Sequence, residues 1–170
     1  TPLENVPVLV DNPCLSFPIN TCVQTRTYSA VFFLPDNPDG YQLSYQVCCR
    51  TASIVNIVDP GNVGLSLLVR IPGHAPTNNS ARFDQLPPVG LCLNEPFVFD
   101  HSATDPDSDE LVYELCAPYL GATPNTPEPQ PSWATVPPYA FIPWVGGYSA
   151  SYPIDADPAI AIDPLTGLMT

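Results

Sequence analysis

The chain has 170 residues and a net charge of −13, with 17 acidic side chains against four arginines and no lysine. Nucleic acid is excluded as a partner, because phosphate contacts need clustered lysine and arginine, and attraction to anionic lipid is excluded for the same reason. No apolar run reaches the ~20 residues that cross a bilayer, so membrane insertion is not expected.

Residues 1–75 are predicted to form an N-terminal β module. The clearest pattern is at 41–50, where apolar and polar side chains alternate with the period of two that a half-buried strand requires. Proline and glycine mark the turns between the predicted strands. The predicted strands are 27–34, 41–50, 53–58 and 65–71, and the predicted turns are 36–40 and 59–62.

Residues 76–88 are rich in proline and predict a stiff junction to a second β module at 89–170. The second module is predicted to have strands at 89–100, 111–116 and 139–145 and a strand–turn–strand unit at 159–170, with a proline-rich excursion at 117–138. No segment shows the 3.6-residue period of an amphipathic helix. We therefore expect an all-β protein made of two β-sandwich modules in tandem.

The chain stops at Thr170, soon after a predicted turn at 163–167, where a sandwich normally has further strands. An unpaired sheet edge invites pairing with another strand. We expect either that the chain is an excerpt of a longer protein or that a partner completes the sheet. The predicted partner is a neighbouring module or another copy of the chain, at an open edge near Thr170.

The six cysteines include no C-x-x-C spacing, so disulfides are a better interpretation than zinc or an iron–sulfur cluster. Disulfides in turn indicate an oxidising, extracellular compartment. We expect Cys92 to pair with Cys116, because they lie on the two strands that bracket an acidic loop. Cys14 and Cys22 are expected to pair with Cys48 and Cys49, in preference to a bond between those two neighbours.

The acidic loop contains Asp105, Asp107 and Asp109 at alternate positions, which lets their carboxylates converge on a cation. Asp100 and Glu95, on the preceding predicted strand, could complete the ligand shell. Position six of an EF-hand would be Glu110 instead of glycine, so a helical calcium hand is excluded. Calcium fits better than magnesium because it tolerates irregular oxygen shells, and we expect a structural calcium ion here.

Signatures of common enzyme classes are absent from the sequence: it has no G-x-S-x-G, no glycine-rich phosphate loop and no H-E-x-x-H. We therefore expect a protein that is not an enzyme. Aromatic residues cluster at 133–152, where they more often pack a core than bind sugars. Trp133 and Tyr148 are the members expected to be exposed, and binding to a surface polysaccharide through them is the alternative function.

Four stretches carry a resemblance to a known family: 12–14 (NPC), 41–50 (YQLSYQVCCR), 91–107 (LCLNEPFVFDHSATDPD) and 162–167 (IDPLTG). The chain resembles the cell-surface adhesins of Bacteroidota that are associated with gliding motility and exported by type IX secretion. The second half also resembles cadherin-like and Ig-like modules. Where members of the family commonly have glycine after the second aspartate, this chain has Ser108, and members continue past the Thr-Gly turn with further strands.

This resemblance implies Ig-like or cadherin-like sandwiches in a long protein of the bacterial cell surface. It also implies an adhesive or filament-forming function for the whole protein. Together with the acidic loop and the cysteines, it predicts a non-enzymatic extracellular structural or adhesive module that is rigidified by calcium and by disulfides.

Overall fold

A computed structural model describes residues 2–6, 14, 23–73, 77–88 and 90–170. In these residues the regular structure is β, apart from one 3-10 turn at Pro60–Asn62, which confirms the all-β class. They contain no helix that is long and apolar enough to cross a membrane. The strands are β1 (Glu4–Val6), β2 (Val23–Thr25), β3 (Tyr41–Val47), β4 (Leu65–Ile71), β5 (Arg82–Phe83), β6 (Phe99–Asp100), β7 (Ala103–Thr104) and β8 (Leu168–Met169).

The strands form four antiparallel two-stranded sheets, which pair β1 with β2, β3 with β4, β5 with β7 and β6 with β8. Isolated bridges extend the β3–β4 sheet, because Ser66 of β4 pairs with Tyr119 and Tyr119 pairs with Phe141. Small two-stranded sheets do not establish either of the two predicted sandwiches, so the tandem of sandwiches stays a prediction.

The β3–β4 sheet is the longest regular element and was predicted well. β4 spans Leu65–Ile71 as expected, and its register runs from Tyr41 opposite Ile71 to Val47 opposite Leu65. The predicted turn before β3 is also present: Gly40 has φ +71° and its N–H donates to the carbonyl of Asn37 at 3.0 Å. Glycine adopts this left-handed conformation without the steric cost that a Cβ would bring.

The hydrophobic core is small and lies beside β4. Ile57, Val63 and Ile142 are its buried members, and Ile54, Leu120 and Trp144 pack against them. Close backbone contact holds the two sides together, since a Cβ on Gly64 or Gly121 would collide with the chain opposite. The core thus joins 54–66 to 118–145, on opposite sides of the predicted junction at 76–88. The division into modules 1–75 and 89–170 stays a prediction.

Five predicted strands are not present in the predicted form. Two of them, 53–58 and 139–145, are reduced to isolated bridges at Ile57, Phe141 and Trp144. Residues 27–34 have a strand-forming composition but are exposed and form no strand, because composition alone does not supply a partner edge. The predicted strand at 89–100 is reduced to β6, since the chain turns at 93–95 and Asn94 has φ +60°. Residues 111–116 contain no strand either, although Tyr113 N–H donates to Pro164 O at 3.0 Å.

The predicted strand–turn–strand unit at 159–170 is confirmed. Ala161 and Thr170 exchange two backbone hydrogen bonds of 2.8 and 3.0 Å, and the turn between them has Gly167 at φ +74°. β8 lies between two partners, since Met169 pairs with both Phe99 of β6 and Ile162. β8 itself is therefore not an open edge, and association near Thr170 stays a prediction.

The disulfide pairings differ from the predicted ones. Cys14 is bonded to Cys92, with Cα atoms 6.0 Å apart, and Cys48 is bonded to Cys49. Cys116 is exposed and is a free thiol in the described part of the chain, so the predicted bond from Cys92 to Cys116 is wrong.

The reason for these errors is the extent of the strands. No strand at 111–116 holds Cys116 opposite Cys92. β3 ends at Val47, so the alternation that would point Cys48 and Cys49 apart does not reach them. Cys22 lies outside the described residues.

Candidate metal site at the acidic corner

The acidic loop forms a tight turn directly after β7. The side chain of Asp105 accepts hydrogen bonds through Oδ1 from the backbone N–H groups of Asp107 at 2.8 Å and Asp109 at 3.4 Å. The backbone carbonyl of Asp105 accepts from Ser108 N–H at 3.2 Å, and Ser108 has φ +63°. Asp105 is therefore occupied in holding the turn together.

Two asparagines from the proline-rich junction meet this turn. Asn79 donates to the carboxylate of Asp107 through its backbone N–H and through Nδ2, the latter at 3.1 and 3.2 Å. The side-chain amide of Asn78 faces Oδ2 of Asp107 at 3.2 Å and Oδ2 of Asp109 at 3.0 Å. We call the cluster of Asn78, Asn79, Asp105, Asp107 and Asp109 the acidic corner.

The amide of Asn78 completes the hydrogen bonding of the acidic corner. With Nδ2 toward the aspartates, Asn78 donates a hydrogen bond to each carboxylate and so offsets their mutual repulsion. Oxygens of amides and carboxylates are the ligands that calcium prefers. A cation bound here would take carboxylate oxygens of Asp107 and Asp109, and Asn78 would turn its Oδ1 toward the ion.

A second pair of contacts attaches the same turn to β5. Asp84, directly after β5, accepts hydrogen bonds from Thr104 Oγ1 at 2.9 Å and from Ser102 Oγ at 3.4 Å. Backbone pairing supports this contact, since Arg82 lies opposite Thr104 and Asp84 N–H donates to Ser102 O at 3.0 Å. The carboxylates of this region serve mainly to hold two segments of chain together.

The structure does not gather all of the predicted calcium ligands. Glu95 is exposed at the bend at 93–95. Asp100 is also exposed, and a hydrogen bond from the Ser102 side chain, followed by one from its backbone N–H, lowers the pKa of the Asp100 carboxyl. Across the described ranges, no three His, Cys, Asp or Glu side chains form a group that could hold a metal ion. The predicted set of Asp105, Asp107, Asp109, Asp100 and Glu95 stays a prediction.

The sequence did not single out Asn78, Asn79 or Asp84. All three lie in or beside a proline-rich segment that has no periodicity, so no pattern places them against the acidic loop. The one available signal was compositional, since adjacent asparagines favour turns and can donate and accept hydrogen bonds at once.

A second acidic turn lies close to the corner. The carboxylate of Asp163 accepts from the backbone N–H groups of Thr166 at 2.8 Å and Leu165 at 2.9 Å, and these bonds lower the pKa of Asp163. The turn is joined to the strand before the acidic loop, because His101 N–H donates to Gly167 O at 3.1 Å. The His101 ring stacks on Phe83 with centroids 4.2 Å apart, so β5, β6 and this turn meet around one imidazole.

The two aromatic residues that were predicted to be exposed and to bind sugar differ in their exposure. Trp133 is 73 % exposed, as expected, whereas Tyr148 is half-buried and stacks on Tyr152 at 6.3 Å. Residues 128–131 and 134–137, on either side of Trp133 in the sequence, line one side of a cavity of about 540 Å³ next to β3. The opposite side is polar and includes Gln42, Ser44 and Gln46.

Comparison with known proteins identifies no relative of this chain: no family model, no curated protein and no solved structure matches it.

Proposed function

We propose that this chain is a non-enzymatic structural or adhesive module of an extracellular protein, of the kind found in cell-surface adhesins or filaments of Bacteroidota. Its sequence motifs resemble that family. In this proposal the chain holds a fixed shape between neighbouring modules or copies, and disulfides and calcium rigidify it.

The observation that carries the proposal is the use made of the carboxylates at the acidic corner. Asp84, Asp105 and Asp107 accept hydrogen bonds from backbone and side-chain donors of segments that they hold together. The bond between Cys14 and Cys92 adds a covalent link over 78 residues of sequence, and such links persist in oxidising compartments outside the cell. The hydrogen bonds and the disulfide both make the module more rigid.

Calcium has a defined role in this proposal. The ion would be held by Oδ1 of Asn78 with carboxylate oxygens of Asp107 and Asp109, and water could fill the remaining positions. Extracellular calcium modules bind at roughly 0.1–1 mM. At a dissociation constant of about 1 mM, 10 mM calcium would add about 1.4 kcal/mol to the free energy of unfolding.

Thermal unfolding in 10 mM calcium and in EGTA tests the calcium assignment. The melting temperature should rise with calcium in the unmodified chain and should not respond in Asp109→Asn, which loses a charged ligand. Asp157→Asn, outside the acidic corner, is the matched control and should respond like the unmodified chain. Equal melting temperatures in calcium and EGTA would contradict a bound ion.

Electron microscopy tests the structural role itself. An antibody against the chain should label fibres or an extended surface layer on native material. Labelling of a dispersed soluble protein without such structures would overturn the assignment, whatever the calcium result.

Binding of polysaccharide is the second candidate, and it is favoured by the exposure of Trp133, which lies in sequence between two residues that line the polar cavity, Pro131 and Ala134. Titration with surface polysaccharide should quench the fluorescence of Trp133, and Trp133→Phe should remove the quenching. Trp144 packs against the core and serves as the internal reference, since its emission should not change.

A further inference from the structure

The cavity of about 540 Å³ beside β3 has the lining of a site for an uncharged sugar. We infer that it holds a short neutral oligosaccharide, one without carboxylate, phosphate or sulfate groups, and that Gln42, Ser44 and Gln130 bind its hydroxyl groups. This inference rests on the second candidate function, polysaccharide binding, and adds to it the place of binding and the class of sugar. It does not depend on calcium.

Hydrogen bonds hold the two walls of the cavity together without a ligand. Cys48 N–H, directly after β3, donates to Pro127 O at 2.9 Å. Gln46 of β3 exchanges two further hydrogen bonds, of 2.7 and 3.1 Å, with the backbone of Thr135. The volume of the cavity lies within the range of about 300–1,000 Å³ that proteins use for small ligands. A site whose walls are already fixed loses little conformational entropy on binding, which favours affinity.

Three polar side chains that line the cavity are left for a ligand. Within the described residues, the side chains of Gln42, Ser44 and Gln130 make no hydrogen bond, whereas that of Gln46 is used in holding the wall. Amides and hydroxyls can donate and accept hydrogen bonds, and so can the hydroxyl groups of a sugar. Gln42 and Ser44 are two residues apart in β3, so they lie on the same face of the strand.

Aromatic rings supply the apolar part of the lining. Tyr28, Tyr45 and Tyr139 come from three separate segments of the chain. Tyr139 is held from behind by Tyr119, with ring centroids 5.8 Å apart. A sugar ring has apolar faces of C–H groups as well as hydroxyls, and tyrosine offers both an apolar ring and a hydroxyl to it.

The charges around the cavity disfavour acidic sugars. Glu128 is the one charged member of the lining among the described residues, and the whole chain carries −13. Arg26 contacts the hydroxyl of Tyr28 at 3.5 Å but does not line the cavity. A uronate or a sulfated sugar would therefore be repelled and would have no cation in the lining to pair with. A neutral sugar avoids this cost.

Trp133 gives the cavity an optical reporter. The backbone N–H groups of Trp133 and Ala134 both donate to Gln130 O, at 2.8 and 3.0 Å, so the indole belongs to the same turn as two lining residues. A sugar held by Gln130 should therefore change the emission of Trp133.

Isothermal titration calorimetry with matched trisaccharides tests the inference. Trisaccharides of glucose, mannose and galactose are each compared with the trisaccharide of the corresponding uronic acid, which has the same linkage and adds a carboxylate to every ring. At least one neutral trisaccharide should bind. Its uronate should bind roughly tenfold more weakly or not at all, because the cavity has no cation to pair with the carboxylates.

Substitutions in the cavity then locate the site. Gln42→Ala and Ser44→Ala should each weaken binding of the neutral trisaccharide roughly 2- to 12-fold, because each removes one hydrogen bond between uncharged groups. Gln85→Ala removes an exposed glutamine outside the cavity and should leave the affinity unchanged. Unchanged melting temperatures of the variants show that loss of binding is not loss of folding.

Three results would overturn the inference. In the first, no neutral trisaccharide binds; in the second, a uronate binds as tightly as its neutral counterpart. In the third, the variant with both Gln42→Ala and Ser44→Ala keeps the full affinity. Quenching of Trp133 by surface polysaccharide judges the second candidate function separately. Quenching that survives both substitutions would keep polysaccharide binding and exclude the cavity as its place.

Discussion

The β3–β4 region and the acidic corner are held together in different ways. Around β3 and β4, backbone pairing and the buried side chains of Ile57, Val63 and Ile142 connect 41–71 to 118–145. Around the acidic corner the strands have two residues each, and carboxylates accept hydrogen bonds from neighbouring segments. The first region depends on burial, which is insensitive to pH, and the second depends on charged acceptors in contact with solvent.

The contact between Gln46 and Thr135 tests most directly how the β3–β4 region is held together. Gln46 is 7 % exposed, and its amide donates to Thr135 O at 2.7 Å and accepts from Thr135 N–H at 3.1 Å. Gln46→Ala should lower the free energy of unfolding by about 1–3 kcal/mol, because it removes two part-buried hydrogen bonds that contribute roughly 0.5–1.5 kcal/mol each. Chemical denaturation measures this. Gln42→Ala, on the same face of β3, should change stability by about 0.5 kcal/mol or less. Equal effects would contradict a special role for Gln46.

The turn of the acidic corner offers a stabilising substitution. Ser108 is exposed at φ +63°, a conformation that costs a residue with a Cβ roughly 1–2 kcal/mol. Ser108→Gly removes that cost and adds some unfolded-state entropy, so we expect a net gain of about 0.5–1 kcal/mol. Ser80→Gly is the control: φ is not positive there, so that substitution should be neutral or destabilising. A loss of stability in Ser108→Gly would mean that the turn differs from the one described.

The smallest expected effect concerns how the stability of the protein depends on acidic pH. Hydrogen bonds from Thr166 and Leu165 lower the pKa of Asp163 below its usual 3.8 in the folded chain. Its contribution to stability is therefore present above the unfolded pKa and is lost as pH falls through the lower, folded value. Melting temperatures from about pH 6 downward should decline less steeply below pH 4 in Asp163→Asn. Asp157→Asn should follow the unmodified chain, and identical profiles for all three would contradict this role of Asp163.

Sequence patterns correctly located the strands and turns that pair with a neighbouring segment in regular register. The alternation at 41–50 and the apolar run at 65–71 led to β3 and β4, and the turn residues at 163–167 led to the final hairpin. Pairing over long sequence distance was not predictable in this way. Nothing in the sequence pattern places Thr135 on Gln46, 89 residues away, or Cys14 on Cys92.

The candidate site shows the same limit. Asp105, Asp107 and Asp109 were found because alternate carboxylates are a local pattern. The donors that meet them, Asn78 and Asn79, come from a segment without periodicity. The resemblance drew attention to Ser108 as a departure from glycine, and its positive φ gives that departure a physical meaning.

The bond between Cys14 and Cys92 has a consequence for mechanical load. A pulling force applied along the chain would pass from residue 14 to residue 92 through the two sulfur atoms. The chain between the two cysteines, which are 78 residues apart in the sequence, would carry no tension along its backbone. Fully extended, that chain would add roughly 260 Å of length at ~3.3 Å per residue. β3, β4 and residues 27–34 all lie inside this loop, so the covalent path of the load does not run through them.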